Sequence, residues 1–141
     1  MLKRRKPGLK IVAVEPAESS VFRGGPAGPH KIEGVGIGYR PPLWLPALVD
    51  DILPDKTDDT KKMSRRLAHQ EALFAGTSSG TNVLAAIQVA QRLGPGAKVV
   101  TLMVDSGLKD LHTDLYGNKR ESDLFGPVSL AINRSAPPSA Y

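Results

Sequence analysis

The sequence predicts an α/β fold, with parallel-sheet layers and flanking helices. Short runs rich in β-branched residues alternate along the chain with segments of helical periodicity. Strands that alternate with helices in this way usually pair in parallel. The chain has 141 residues, of which 40% are hydrophobic, so its length is that of one domain and it can form a core.

The first part of the chain predicts one buried strand, a short helix and a long loop. The run KIVAV at residues 10–14 is compact and β-branched, and it stops at Glu15 and Pro16. A short polar helix is predicted over residues 17–22. Residues 24–42 are too rich in glycine and proline for a regular element. Because long loops in compact domains are usually functional, we expect this one to face a ligand; a linker is the alternative.

The second part predicts a strand, two helices and a further strand. A short strand over residues 49–53 closes at Pro54, and Thr57 has the properties of a helix N-cap. The next helical pattern spans residues 82–93, and residues 98–104 form a second buried strand. The carboxyl ends of parallel strands form the usual ligand edge, so the loop after the first strand, the turn at Thr77 and the turn after residue 104 should converge there.

Composition and charge exclude several classes of function. Cysteine is absent, and the three histidines are far apart in the sequence, so we expect neither a disulfide nor a metal site. The net charge of +5 reflects basic residues concentrated in residues 3–10, and only 5% of the chain is aromatic, which does not favour nucleic-acid binding. No apolar run is long enough for a membrane span, and no export signal is evident, so a cytoplasmic protein is expected.

The segment GTSSG at residues 76–80 has two chemical interpretations. Its G-x-S-x-G spacing is that of a hydrolase nucleophile elbow, for which Ser78, Asp105 and His112 occur in the required chain order. However, Asp105 and His112 would follow the same strand, and no oxyanion segment precedes the serine. The other interpretation is a hydroxyl-rich turn at a helix start, which either caps the helix or binds a ligand.

Four ordered segments resemble one enzyme family. They are KIVAVEP, GPHKIEGVGIGYRPP, LFAGTSSGTNVLAA and KVVTLMVDSGLKDLHTDLYG, and together they cover about Leu2 to Tyr116. Their order and intervals are similar to those of the C-terminal part of the cysteine synthase and cystathionine β-synthase family. These are pyridoxal-phosphate enzymes of fold type II, with a tryptophan synthase β-like fold. The resemblance therefore implies an incomplete portion of that fold.

The resemblance also implies roles for particular residues. In the family, the first serine of the GISSG-like turn hydrogen-bonds the pyridine nitrogen of pyridoxal 5'-phosphate, and that position is Ser78. Gly34, Gly36, Thr77 and Asp105 then line the active site. The resemblance implies no catalytic residue here, because the family's Schiff-base lysine motif, its substrate carboxylate loop and its phosphate-binding glycine loop have no counterpart in this sequence.

The implied domain organisation is one partial catalytic domain with a tail. Residues 1–117 correspond to the C-terminal part of the catalytic domain, and residues 118–141 are expected to be disordered. We expect a truncated frame, a fragment or one half of a split protein, inactive alone. Its family acts on amino-acid substrates as a transferase or lyase, either as a homodimer or, for a split protein, with a complementing N-terminal half. A serine hydrolase and a non-catalytic, partner-binding remnant are the alternatives.

Overall fold

Two parallel strands and two long helices make up the regular structure. The computed structural model describes residues 2–117. This arrangement confirms the predicted α/β class with a parallel sheet. The elements are, in chain order, α1 (Leu2–Arg5), β1 (Val12–Pro16), β2 (Asp51–Asp55), α2 (Thr57–Glu71) and α3 (Thr77–Leu93), with short 3-10 turns at Pro46–Leu48 and Gly107–Asp110.

The strands β1 and β2 pair in parallel, with Val12 opposite Asp51 and Pro16 opposite Asp55. Both strands begin about two residues later than the sequence predicted. Pro54 lies inside β2 rather than closing it. A proline is tolerated in a strand at the edge of a sheet, because the N–H that it lacks is not needed by a neighbour on that side.

The helices α2 and α3 pack against each other and enclose the main apolar cluster. Met63 and Leu67 of α2 are buried against Ala75, and partly buried side chains of α3 complete the cluster. The two helices approach each other closely at Gly80, where a Cβ would lie only 2.7 Å from the Thr60 carbonyl oxygen of α2. The glycine after the two serines therefore has a packing role.

The direction of α3 is fixed by polar contacts at both of its ends. Near its start, the Thr81 hydroxyl donates to Asp55 Oδ2 at 2.7 Å, at the carboxyl end of β2. Near its end, Arg92 forms a 3.1 Å ion pair with Asp51, at the beginning of β2. The helix therefore runs antiparallel to the strands, and its N-terminus lies at the edge of the sheet where ligands usually bind.

The segment at residues 98–104 is not a strand in the structure, although its composition predicted a buried one. Val100 is 90% exposed and Leu102 is 67% exposed. Within residues 2–117 no strand lies beside this segment, since the sheet there contains β1 and β2 alone. A β-branched run forms a strand only when a neighbour supplies the ladder of backbone hydrogen bonds.

Two helix predictions also differ from the structure. Residues 17–22 form turns instead of a helix. The buried Glu15 carboxylate accepts hydrogen bonds from the Phe22 N–H and from Arg23 Nε, and these contacts hold the chain in a loop. The helix predicted over residues 82–93 begins five residues earlier, at Thr77, so the serine-rich segment is its first turn. The tail predicted over residues 118–141 lies outside the described residues.

No helix among residues 2–117 is long and apolar enough to cross a membrane.

Candidate functional site

The first turn of α3 is capped by a carboxylate from a distant segment. The Ser78 and Ser79 N–H groups donate to Asp105 Oδ2 and Oδ1 at 3.2 and 2.9 Å. The first N–H groups of a helix have no partner within it, and the positive end of the helix dipole favours an anion there. The N-cap residue is Gly76, which has no side chain to offer. Asp105 therefore does what a serine N-cap would otherwise do.

These contacts set the protonation state of Asp105. Burial acts to raise the pKa of this carboxyl, but the hydrogen bond from the Ser79 hydroxyl and those from the Ser79 and Ser78 backbone N–H groups outweigh it. The pKa of Asp105 is therefore lowered below its ordinary value of 3.8. The carboxylate is therefore ionised at neutral pH, the form that best accepts hydrogen bonds from the first turn of α3.

The two serines of the turn have different surroundings. The Ser79 hydroxyl is in contact with the Asp105 carboxylate and also accepts hydrogen bonds from the Val104 and Asp105 N–H groups at 2.9 and 3.1 Å. Ser79 is fully buried, so its role is structural. Ser78 is 6% exposed. Its hydroxyl lies 3.9 Å from the point where a Cβ on Gly34 would stand, so it faces the glycine-rich loop.

The glycine-rich loop takes a shape that only glycine permits at several points. Gly34 and Gly36 have φ values of +80° and +64°, in the left-handed region that other residues rarely adopt. A Cβ on Gly36 would also lie 2.5 Å from Pro16 Cγ and 2.8 Å from His30 Nε2. The loop is therefore closely packed against the end of β1.

His30 organises this loop from within. Its Nδ1 accepts the Ile32 N–H at 3.2 Å, and its Nε2 lies 2.9 Å from the Gly36 carbonyl oxygen. Because Nδ1 accepts, the proton of the neutral ring is on Nε2, which donates to Gly36. Sequence reasoning missed this role, since a histidine in a glycine-rich loop has no characteristic spacing.

Two contacts connect the loop to the rest of the site. The Glu33 N–H donates to the Thr77 hydroxyl at 3.0 Å, and Lys109 Nζ lies 2.8 Å from Glu33 Oε2. Lys109 also lies 3.5 Å from Asp105 and 3.3 Å from Asp110. Burial raises the pKa of the Asp110 carboxyl, in spite of the adjacent lysine. Sequence reasoning missed the role of Lys109, because Glu33, its nearest partner, lies 76 residues away along the chain.

A polar cavity of about 380 Å³ adjoins this network. Thr77, Glu33 and Asp110 line it, and Ser78 does not. The predicted residues Ser78, Gly34, Thr77 and Asp105 thus meet at one place, and Gly36 is held nearby through His30.

The hydrolase triad is not assembled. His112 is exposed, and within residues 2–117 no hydrogen bond joins it to Asp105 or to Ser78. Asp105 instead binds backbone N–H groups of α3, so it does not orient a histidine. No group of residues that could hold a metal ion occurs in the same described part of the chain.

A comparison with protein families places the chain in one of them. The family model of the pyridoxal-phosphate dependent enzymes matches residues 1–105. The chain belongs to this family. The chain is 43% identical to the cysteine synthase of Staphylococcus aureus (strain Mu50) over 116 residues, which are 82% of this chain and 37% of that protein. The chain thus spans little more than a third of the curated relatives that it matches.

Solved structures lead to the same family and fold. The structure of a cysteine synthase from Entamoeba histolytica superposes with a TM-score of 0.78 at 38% identity, over 87% of this chain and 39% of that one. An O-acetylserine dependent cystathionine β-synthase from Helicobacter pylori gives a TM-score of 0.71 at 33% identity, over 82% and 37%. The predicted fold type II, and the resemblance on which it rested, are confirmed.

The residues of the site fit the cofactor of this family, pyridoxal phosphate. Ser78 presents a neutral hydroxyl at the sheet's carboxyl edge, as a hydrogen-bond partner for the pyridine nitrogen requires. The position of a Cβ on Gly34 would lie 3.9 Å from that hydroxyl, so the glycine-rich loop passes directly beside it.

Proposed function

We propose that this chain supplies the pyridine-side wall of an enzyme that performs β-replacement on O-acetylserine or serine. The products are cysteine, as in a cysteine synthase, or cystathionine, as in a cystathionine β-synthase. The observation that carries the proposal is the position of Ser78, beside Gly34 and on a helix start that Asp105 caps. Family membership and the similarity to cysteine synthases support it.

Each residue of the wall has a distinct task in this proposal. When bound, pyridoxal phosphate supplies the electron sink for elimination and addition at the β-carbon of the amino acid. Ser78 holds the ring nitrogen with a neutral hydroxyl, which leaves that nitrogen less readily protonated than a carboxylate would. Asp105 fixes the turn that carries Ser78, while Gly34, Gly36 and Thr77 shape the approach to it.

Turnover requires parts of the fold that these residues do not provide. No residue of this chain is assigned to proton transfer or to covalent attachment of the cofactor. We propose that the chain retains the cofactor and turns over only with the remaining part of the fold, as a homodimer of complete subunits or with a complementing N-terminal half. An amino-acid substrate and a cytoplasmic location belong to the same proposal.

The proposal is tested by reconstitution. The 141-residue chain is co-expressed with the part of the S. aureus cysteine synthase that lies outside the matched region. Cofactor content and cysteine formation from O-acetylserine and sulfide are then measured. We expect bound cofactor and cysteine formation in the assembly, and neither of them in the chain alone. Labelling of Ser78 by a fluorophosphonate probe, or an assembly without cofactor, would contradict the proposal.

A further inference from the structure

One lysine side chain connects the glycine-rich loop to the capped start of α3. Lys109 Nζ lies 2.8 Å from Glu33 Oε2 on the loop, 3.5 Å from Asp105 Oδ2 and 3.3 Å from Asp110 Oδ2. Asp105 Oδ2 is also the atom that accepts the Ser78 N–H. A single ammonium therefore joins the loop to the carboxylate that caps α3.

The backbone that carries Lys109 is attached to the residues just before α3. The Gly107 N–H donates to the Phe74 carbonyl oxygen at 3.0 Å, and Ser106 forms an antiparallel bridge with Ala75. Phe74 and Ala75 directly precede the N-cap residue of the helix. The lysine thus projects from a backbone whose position is already set.

The loop partner of Lys109 is held by fewer contacts. The backbone N–H of Glu33 donates to the Thr77 hydroxyl at 3.0 Å. Gly34 and Gly36 follow with positive φ values, and glycine has the most backbone freedom to lose when a loop becomes ordered. The Glu33 side chain is 60% exposed. The ion pair therefore joins a fixed turn to a segment that needs restraint.

No other cation in the described part of the chain can replace Lys109 in this position. Lys31 and Lys61 lie at the neighbouring cavity, but both form ion pairs with Asp114, at 3.3 and 2.7 Å. Among the ion pairs of residues 2–117, Glu33 has Lys109 as its partner. The connection between loop and helix start thus depends on one side chain.

Three carboxylates surround this single ammonium. Burial acts to lower the pKa of Lys109, but its contacts with Glu33 and Asp110 raise that pKa, so the side chain stays a cation. Asp105 and Asp110 keep the ammonium near the turn, while Glu33 comes from the loop. Removal of the positive charge would leave three carboxylates facing one another, which would push the loop away from the turn.

Ser78 lies inside the ring that these contacts close. A Cβ on Gly34 would stand 3.9 Å from the Ser78 hydroxyl, and Gly34 directly follows Glu33. On the other side, Asp105 binds both the Ser78 N–H and Lys109. A loop that is ordered before a ligand arrives spares that ligand the entropic cost of ordering it.

We propose that Lys109 is a positioning residue, which holds the glycine-rich loop beside the Ser78 hydroxyl before the cofactor binds. It acts through Glu33 and Asp105 and not through contact with the cofactor. The identity of the ligand rests on the proposed function, whereas the ordering of the loop is a property of the chain itself.

Amide hydrogen exchange in the 141-residue chain tests the ordering of the loop. Lys109→Met removes the charge and keeps an unbranched side chain. We expect it to speed exchange of the Glu33 amide about two- to fivefold, the range for a partly exposed ion pair. Lys109→Arg should restore slow exchange. Lys62→Met is the matched control, because it breaks the exposed 3.1 Å pair with Asp59 and should have no effect at Glu33.

A double-mutant cycle shows whether Lys109 acts through Glu33. Glu33→Gln alone should speed exchange of the residue 33 amide, relative to its intrinsic rate, and the double variant Glu33→Gln with Lys109→Met should exchange no faster than Lys109→Met. Effects of the two substitutions that simply multiply would overturn the inference. So would a Glu33 amide that exchanges equally slowly in Lys109→Met and in the wild type.

The second arm measures cofactor binding in the assembly with the unmatched part of the S. aureus cysteine synthase. Lys109→Met should raise the dissociation constant of pyridoxal phosphate about two- to fivefold, and Lys109→Arg and Lys62→Met should leave it unchanged. The ¹⁵N shift of the bound ring nitrogen should stay that of the wild type, because Ser78 is still present.

The two arms separate the inference from the proposed function. An unchanged cofactor affinity in Lys109→Met would overturn the positioning role, and so would a changed ¹⁵N shift, which indicates a general distortion of the turn. A wild-type assembly that binds no cofactor would contradict the proposed function, while exchange of the Glu33 amide would still decide whether Lys109 orders the loop.

Discussion

The carboxylate that caps α3 offers a quantitative test of how the site is held. Asp105→Asn keeps the size of the side chain and one acceptor oxygen, but it removes the charge and leaves one of two N–H groups without its partner. Loss of a cap costs about 1 kcal/mol, and the interaction of a charge with the helix dipole adds about 0.3–1 kcal/mol. The Asp105 side chain is 10% exposed, so water replaces these bonds poorly.

The expected total of about 1–2 kcal/mol corresponds to an increase of about five- to thirtyfold in opening of the first turn. Hydrogen exchange of the Ser78 and Ser79 amides measures this opening directly, because these are the N–H groups bound to Asp105. A local measurement is preferred, since it does not require the free chain to unfold in one cooperative step.

The matched control is Asp59→Asn, which removes a carboxylate from the first turn of α2. Asp59 forms an exposed 3.1 Å ion pair with Lys62, its neighbour on the same helix. The Asp59→Asn substitution should leave amide hydrogen exchange at Ser78 and Ser79 unchanged. If Asp105→Asn also leaves these amides as slow as in the wild type, the capping account of the site is wrong.

The remaining predictions concern packing, the loop and pH. Gly80→Ala should destabilise the α2–α3 contact by about 1–3 kcal/mol, seen as a lower thermal midpoint of helical circular dichroism, because its Cβ meets Thr60 backbone at 2.7 Å. Gly36→Ala should speed proteolysis of the glycine-rich loop, since its Cβ clashes with Pro16; unchanged cleavage would contradict this. The pKa of Asp105 is lowered in the folded chain, so the stabilisation by its carboxylate is complete above about pH 3.8 and is lost as the pH falls through the folded pKa. In that low-pH range, amide exchange at Ser79 should accelerate relative to the intrinsic exchange rate. Asp105→Asn should remove this acceleration.

Local sequence signals predicted the regular elements that depend on neighbouring residues. The strands near residues 10–14 and 49–53 and the helix after Thr57 all formed, with boundaries displaced by one or two residues. The start of α3 was missed because its cap, Asp105, lies 27 residues beyond Ser78. Residues 98–104 have the composition of a strand, but a strand also needs a neighbour, which composition does not report.

The site shows the same division between local and long-range information. Ser78 and Gly34 were predicted from motifs that resemble a family, and the structure places them side by side, since a Cβ on Gly34 would lie 3.9 Å from the Ser78 hydroxyl. His30 and Lys109 were missed. His30 contacts Gly36 because the loop folds back on itself, and Lys109 contacts Glu33 because of the turn at residues 107–110. No residue spacing in the sequence indicates either of these backbone shapes.

The central claim is that the Ser78 hydroxyl binds the pyridine nitrogen of the cofactor. The most direct measurement is the ¹⁵N NMR shift of ring-labelled pyridoxal phosphate in the reconstituted assembly, compared between the wild type and Ser78→Ala. The account predicts the shift of a neutral, hydrogen-bonded pyridine nitrogen in the wild type and a clear change when the hydroxyl is removed. An identical ¹⁵N shift in the two proteins, at equal cofactor occupancy, would contradict it.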